Sequence, residues 1–276
     1  MERHMSWLEI QRGDAPLIVS MPHTGTEIPG DIEQQLVSPW LARKDADWWI
    51  ENLYDFAPGL GATVLRTTIS RTVIDVNRDP SGKSLYPGLN TTELCPTSTF
   101  DGEPLYRNGI APTASEIAER RAQFFDPYHA ALKAEITRLR KTHDKIVLFE
   151  AHSIRSVVPR LFDGELPNFN IGTNSGASCA QELTASVESL CAVTEFSWTT
   201  NGRFKGGFTT RHYGLPADGV HAIQMELADR GYIDEPEVPS PENWPTPYRE
   251  PRAAALRAVL KRVLQTCITF AAEDQP

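Results

Sequence analysis

Along the chain, short runs of apolar, β-branched residues alternate with longer stretches whose apolar positions recur every three or four residues. The runs are PLIVSM at 16–21, GATVLRTT at 61–68, RTVIDVN at 71–77, KIVLFEAH at 145–152 and HAIQMEL at 221–227. Each predicts a strand, because β-branched side chains suit a pleated, half-buried surface. Between the third and fourth, PTASEIAERRAQFFDPYHAALKAEITRLRKTHD predicts a helix. There Thr113 and Glu116 form a capping box, and Tyr128, Leu132, Ile136 and Leu139 make one apolar stripe. Pro127 falls inside this helix and should break or kink it. Further helices are expected at 41–57, 178–192 and 251–272; the last has Pro251 in its first turn and Leu256, Val259, Leu260 and Val263 on one face. Strands alternating with helices predict an α/β fold.

Three stretches, 78–111, 155–175 and 233–250, follow neither period and are too long for ordinary connections. Their aromatic residues, Tyr86, Phe100, Tyr106 and Phe162, predict lids packed on the body of the protein. No repeat, low-complexity tract or linker divides the chain, so one domain is expected over residues 1–276. No window approaches the roughly 18 to 20 uninterrupted apolar residues of a membrane span. The start, MERHMSWLEIQRGD, lacks the apolar core of a secretory signal, and a cytoplasmic location is expected. Cys95, Cys179, Cys191 and Cys267 lie far apart and read as free, mostly buried thiols. With 36 acids against 27 bases and a net charge of −9, the chain lacks the basic face a nucleic-acid binder needs. A small anionic substrate is still compatible, provided a few arginines converge locally.

In open α/β sheets ligands gather beyond the carboxyl ends of strands. His23 follows PLIVSM, His152 follows KIVLFEA and Arg78 follows RTVIDVN, so all three fall at such ends. Two imidazoles and one carboxylate are the ligand set of an open zinc site. Asp47, Asp45 and Glu27 each offer that carboxylate, and spacing does not choose among them. Glu226 shares a strand face with Ala222 and Gln224, so it is expected to be partly buried. A desolvated carboxylate suits either a general base or an internal salt bridge with an arginine. Arg71, Arg78, Arg155, Arg160, Arg203 and Arg211 lie in or near strand ends and glycine-rich segments, where guanidinium groups can grip carboxylates. Arg71 and Arg78 would face opposite sides of an unbroken strand, so regular structure is expected to stop near Val76. NGRFKGGFTTRHYG, at 201–214, reads as a flexible anion-facing loop or a β-hairpin. G-x-G-x-x-G, P-loop and G-x-S-x-G motifs are absent, which removes support for nucleotide-binding and serine-hydrolase readings.

SMPHTGTEIP, DADWWIENLYDF, SRTVIDVNRDP, EAHSIRSVVPRLFDGELPNFNIGTNSGASC, KGGFTTRHYG and IQMELADRGYID, in that order, closely resemble the N-formylglutamate amidohydrolase family. The resemblance implies a three-layer α/β sandwich with a mixed central sheet, like the zinc carboxypeptidases and aspartoacylase. It implies hydrolysis of N-formyl-L-glutamate to formate and glutamate, the last step of a histidine-degradation route, with a related zinc deacylase of another N-acyl amino acid as the alternative. It further implies that His23, Asp47 and His152 hold Zn2+ or another divalent metal, that Glu226 is the catalytic base and that Arg71 steadies the oxyanion. Asn77 and Arg78 would hold the α-carboxylate, and Arg155, Arg160 or Arg211 the side-chain carboxylate. Where the wider carboxypeptidase pattern has a glutamate three residues after the first histidine, this chain has Thr26; the matching DADWW segment makes Asp47 the implied third ligand.

Overall fold

Four of the runs that read as strands form the middle of one sheet. The computed structural model describes residues 6–273, so part of the start on which the export reading rests lies outside it. The strands are β1 (Leu8–Gln11), β2 (Leu17–Met21), β3 (Thr63–Thr67), β4 (Ile146–Ile154), β5 (Phe169–Gly172), β6 (Trp198–Thr200) and β7 (Val220–Ala228). They join in a seven-stranded sheet of order β1-β3-β2-β4-β7-β5-β6. β3, β2, β4 and β7 run parallel, whereas β1 and β5 are antiparallel to their inner neighbours, so the sheet is mixed. The helices are α1 (Gly30–Glu33), α2 (Ile50–Leu53), α3 (Ala114–Arg120), α4 (Asp126–Leu139), α5 (Gln181–Ala192), α6 (Phe208–Tyr213) and α7 (Glu250–Ala272).

Alternation along the central strands feeds two cores. Val19, Phe149 and Met225 face α5 and α7, while Ile18, Leu148 and Ala222 face α4. The expected stripe on α4 is buried, each such side chain contributing about 1.5–3 kcal/mol. Thr113 and Glu116 form the expected capping box on α3. The helix passes Pro127 through one π-helical turn, Arg121–Phe125. The carbonyl with which the Pro127 ring would clash, that of Gln123, lies within this wider turn. All four cysteines are free and buried. No helix among the described residues is long and apolar enough to cross a membrane.

Three expectations fail. RTVIDVN is not a strand: Val73 N–H donates to Ser70 O at 2.9 Å, Arg78 N–H to Asp75 O at 3.2 Å, and the segment is a compact turn. The turn lets Val73, Ile74 and Val76 enter the α4-side core while Asp75 meets Arg71 four residues back; in a strand the two residues would stand about 13 Å apart. Segment 41–57 is broken, with only a 3-10 turn at Leu41–Arg43 and the short α2. Trp49 takes φ 65°, which stops a helix, and its indole N–H donates to Thr246 O at 2.9 Å. Segment 201–214 is neither an open loop nor a hairpin, since it contains α6.

His129 of α4 ties the turn to the helix, with Nε2 2.8 Å from Val76 O and Nδ1 3.0 Å from the Tyr213 hydroxyl. Burial pushes its pKa from 6.5 down to about 4, the bond to Val76 O opposing this in part. The unfolded chain therefore takes up this proton first as pH falls. The stability gained by keeping the ring neutral is intact above pH 6.5 and is lost progressively between 6.5 and about 4. His129→Gln, which keeps a donor for Val76, should remove about 3 kcal/mol of the acid-induced loss across that window. Urea unfolding at both pH values checks this, and an unchanged pH dependence counts against it.

Candidate active site

On β4 the residues facing α4 run Ile146, Leu148, Glu150, His152, and on β7 they run Val220, Ala222, Gln224, Glu226. The first pair on each strand is apolar and lies in the α4-side core. The second pair is polar and lies at the carboxyl end. Because β4 and β7 are parallel, His152 sits opposite Glu226 and Glu150 opposite Gln224. A polar floor therefore lies at the carboxyl ends of the two strands.

His23 enters from the neighbouring β2, two residues past Met21, and its ring centroid is 4.8 Å from that of His152. Asp47 is tied to it through the backbone, Asp47 N–H donating to His23 O at 3.0 Å. Asp47 Oδ2 lies 2.9 Å from His152 Nδ1 and 3.6 Å from His23 Nδ1. One donor atom from each of the three residues lies within 4.8 Å of the others. The other acids weighed from the sequence go elsewhere: Glu27 is exposed and accepts from the Thr68 hydroxyl, and Asp45 accepts from Phe100 N–H.

The charge balance favours a cation. Burial opposes the carboxylate of Asp47, yet its two histidine neighbours hold its pKa below the usual range. Burial likewise opposes the imidazolium of His152, but Asp47 and then Glu150 outweigh it and raise the pKa to about 10. Asp47 Oδ1 and both carboxylate oxygens of Glu150 are buried without a hydrogen-bond partner. Unspent acceptor capacity around two imidazoles is what a divalent metal would use, so His23, Asp47 and His152 fit one.

Asp75, fully buried, organises the opposite side. It meets His23 Nε2 at 2.6 Å, Arg71 Nη2 at 2.7 Å and Arg78 Nε at 3.3 Å, and it accepts from Asn77 N–H at 2.9 Å. A carboxylate behind a histidine fixes the ring's orientation and tautomer. Arg71 Nη1 lies 3.3 Å from His23 Nδ1, and its guanidinium stacks 4.8 Å from the Phe100 ring. The sequence reading missed Asp75; the signal was an acid four residues after Arg71 inside an apolar run.

Asn77 Nδ2 is 3.0 Å from His152 Nε2, and its Oδ1 accepts from Thr209 N–H at 2.9 Å. Gly207 packs so closely here that a Cβ would come within 2.4 Å of Asn77 Nδ2. Gly207→Ala should displace Asn77, cost about 1–3 kcal/mol of stability and lower turnover at least tenfold. Thermal melts beside steady-state kinetics check it; wild-type turnover in the variant would contradict it.

Gln224 bridges the same loop to Glu226. Its Oε1 accepts from Gly207 N–H at 2.8 Å, which turns Nε2 to donate to Glu226 Oε2 at 3.1 Å. Among the described residues Glu226 Oε1 has no hydrogen-bond partner. Burial raises the Glu226 pKa to about 7, with His152 the strongest opposing influence and Asp47 adding to the rise. A carboxylate poised near neutrality can take and return a proton.

The family model of N-formylglutamate amidohydrolase matches residues 15–233. The chain belongs to that family. Among its relatives are enzymes named N-formylglutamate deformylase from Pseudomonas aeruginosa, 46% identical over 96% of this chain and 97% of that protein, and from Pseudomonas putida, 45% identical over the same shares. An N-formylglutamate amidohydrolase from Ralstonia eutropha shares the fold, with a TM-score of 0.78 at 22% identity over 97% of this chain and 99% of that one. In this member of the family a narrow cavity opens above the polar floor, and His23, His152, Glu226, Arg71, Asn77 and Arg78 all line it. The 78–111 segment contributes Tyr86, Thr92 and Phe100 to its walls and the first part of 155–175 contributes Leu161, so both pack over the cavity, whereas Phe169–Gly172, expected to follow no period, forms β5 of the sheet.

The arginines expected at the side-chain carboxylate do not reach the cavity lining. Arg155 pairs with Asp101 at 2.6 Å. Arg160 donates to Thr99 O at 3.3 Å, and Arg211 donates to Gly206 O at 2.8 Å with its guanidinium over the Tyr86 ring. Loop curvature decides which arginines turn inward, and local sequence does not carry that information.

Proposed function

We propose that the protein is a single-domain, metal-dependent hydrolase of N-formyl-L-glutamate, releasing formate and L-glutamate as the end of a histidine-degradation route in the cytoplasm. The observation that carries this is the convergence of His23, Asp47 and His152 beside Glu226, in a chain 46% identical to an enzyme named for that reaction. His23, Asp47 and His152 would hold the metal, and a set of two imidazoles and one carboxylate suits zinc. Such an ion supplies Lewis acidity, polarising the formyl oxygen and making water acidic near neutral pH.

The chain's own residues do the rest. Glu226 Oε1 accepts a proton from the attacking water as its oxygen bonds to the formyl carbon. Arg71, held in place by Asp75, donates to the oxygen that becomes negative; such a donor typically contributes about 100- to 1,000-fold in turnover. Glu226 then passes its proton to the amide nitrogen as the C–N bond breaks. Asn77 and Arg78 hold the α-carboxylate, Arg78 being braced by Asp75 and by the Thr92 hydroxyl at 2.9 Å.

Formate release from N-formyl-L-glutamate by the purified protein tests the reading, with and without prior chelation. Activity should disappear on chelation and return with zinc. Equal rates on N-acetyl-L-glutamate would instead favour a broader deacylase, and no formate from any N-formyl amino acid would end the proposal.

A further inference from the structure

The cavity holds a third arginine with no role so far. Arg203, from the segment preceding α6, lines it together with Arg71 and Arg78. The other two are compensated: Arg71 lies 2.7 Å from Asp75 and 3.8 Å from Asp47, and Arg78 shares Asp75 at 3.3 Å. Arg203 has no acid within ion-pair distance among the described residues. Its Nε donates to Leu161 O at 2.7 Å and its Nη2 to Asn90 O at 3.0 Å, both backbone carbonyls of the two lids. The rings of Tyr86 and Phe204 each lie 5.3 Å from the guanidinium carbon. Neutral groups therefore fix the plane of the guanidinium without neutralising it. Burial, with Arg78 nearby, pulls its pKa down, while Tyr86 and Glu226 work the other way.

A guanidinium has five N–H bonds, and these two contacts use two of them. The remaining three are both N–H bonds of Nη1 and one of Nη2, so each of these nitrogens keeps an N–H for one of the two parallel bonds of a bidentate grip on a carboxylate. We infer that Arg203 is the specificity residue of this site, binding the side-chain carboxylate of the substrate while Arg78 takes the α-carboxylate. On this assignment Arg203 is what makes the site prefer a dicarboxylate to an N-acyl amino acid with a neutral side chain. The assignment rests on the proposed hydrolysis and replaces Arg155, Arg160 and Arg211, the arginines expected from the sequence. It also gives the two lids a function, because they supply the carbonyls that aim the charge.

The test compares kcat/KM for N-formyl-L-glutamate and N-formyl-L-glutamine in the metal-loaded wild type, Arg203→Met and Arg203→Lys. The ratio cancels any fraction of misfolded variant, which lowers both values alike. Arg203→Met should lower the ratio by about 100-fold or more, the usual cost of removing one partner of a desolvated charge pair. Arg203→Lys, which keeps the charge but loses the planar fork and its two carbonyl anchors, should lower it about tenfold. A ratio within threefold of wild type in Arg203→Met overturns the assignment, as does a collapse in Arg211→Met with Arg203→Met unaffected. Should the wild type hydrolyse neither compound, the functional reading fails, and calorimetry still decides Arg203. Glutarate should then bind the wild type at least tenfold more tightly than butyrate and lose that advantage in Arg203→Met; absence of the preference overturns the assignment.

Discussion

Glu226→Gln is expected to lower kcat by about 100- to 10,000-fold, the usual contribution of a positioned proton-transfer group, while metal content and thermal stability stay close to wild type. The substitution is nearly isosteric. A glutamine at this position can turn its carbonyl to Gln224 Nε2, preserving the bond that now holds Oε2 at 3.1 Å, and with it the link through Gln224 to Gly207. What it loses is a basic oxygen facing the cavity. Glu226 stands outside the group of His23, Asp47 and His152, so metal analysis should give the same stoichiometry in variant and wild type. A variant that keeps more than a tenth of wild-type kcat would remove Glu226 from the reaction.

Asp47→Ala should have the largest effect on metal binding. Its carboxylate is the sole anion among the three clustered side chains, and removing it strips the negative charge that would offset a divalent ion between two imidazoles. Changing a partner one step removed from a metal typically costs about 10- to 100-fold in affinity, which is the range expected for Asp75→Asn, whose carboxylate backs His23 Nε2 at 2.6 Å. Asp47→Ala should exceed that range, with metal lost on dialysis and formate release lost with it. Equal metal content in wild type and Asp47→Ala would refute the assignment of this residue. A loss in Asp75→Asn as complete as in Asp47→Ala would make Asp75 a ligand and not a support.

Much of this architecture was legible in local sequence because burial imposes a period on each element. The four parallel central strands, the capped helix with its stripe of Tyr128, Leu132, Ile136 and Leu139, and the long C-terminal helix all bury one repeating face. The position of the site was legible for a related reason. His152 and Glu226 fall on polar positions at strand ends, on the same alternating face that serves the core further back along β4 and β7. The family resemblance then attached chemistry to those positions, as spacing alone could not.

Only the tertiary structure decided the rest. That Asp47, and neither Asp45 nor Glu27, stands beside the histidines depends on a turn pinned to His23 O and on the positive φ of Trp49, both set by distant contacts. RTVIDVN has the composition of a strand, yet the pairing of buried Asp75 with His23, Arg71 and Arg78 outweighs that local preference and folds it into a turn. Arg203 rather than Arg155, Arg160 or Arg211 lines the cavity because the carbonyls of Leu161 and Asn90, on two separate lids, hold it there. A sequence determines by itself whatever repeats along one segment. Residues brought together from opposite ends of a chain are determined by packing, since the charge and hydrogen bonds that fix them come from partners no local window contains.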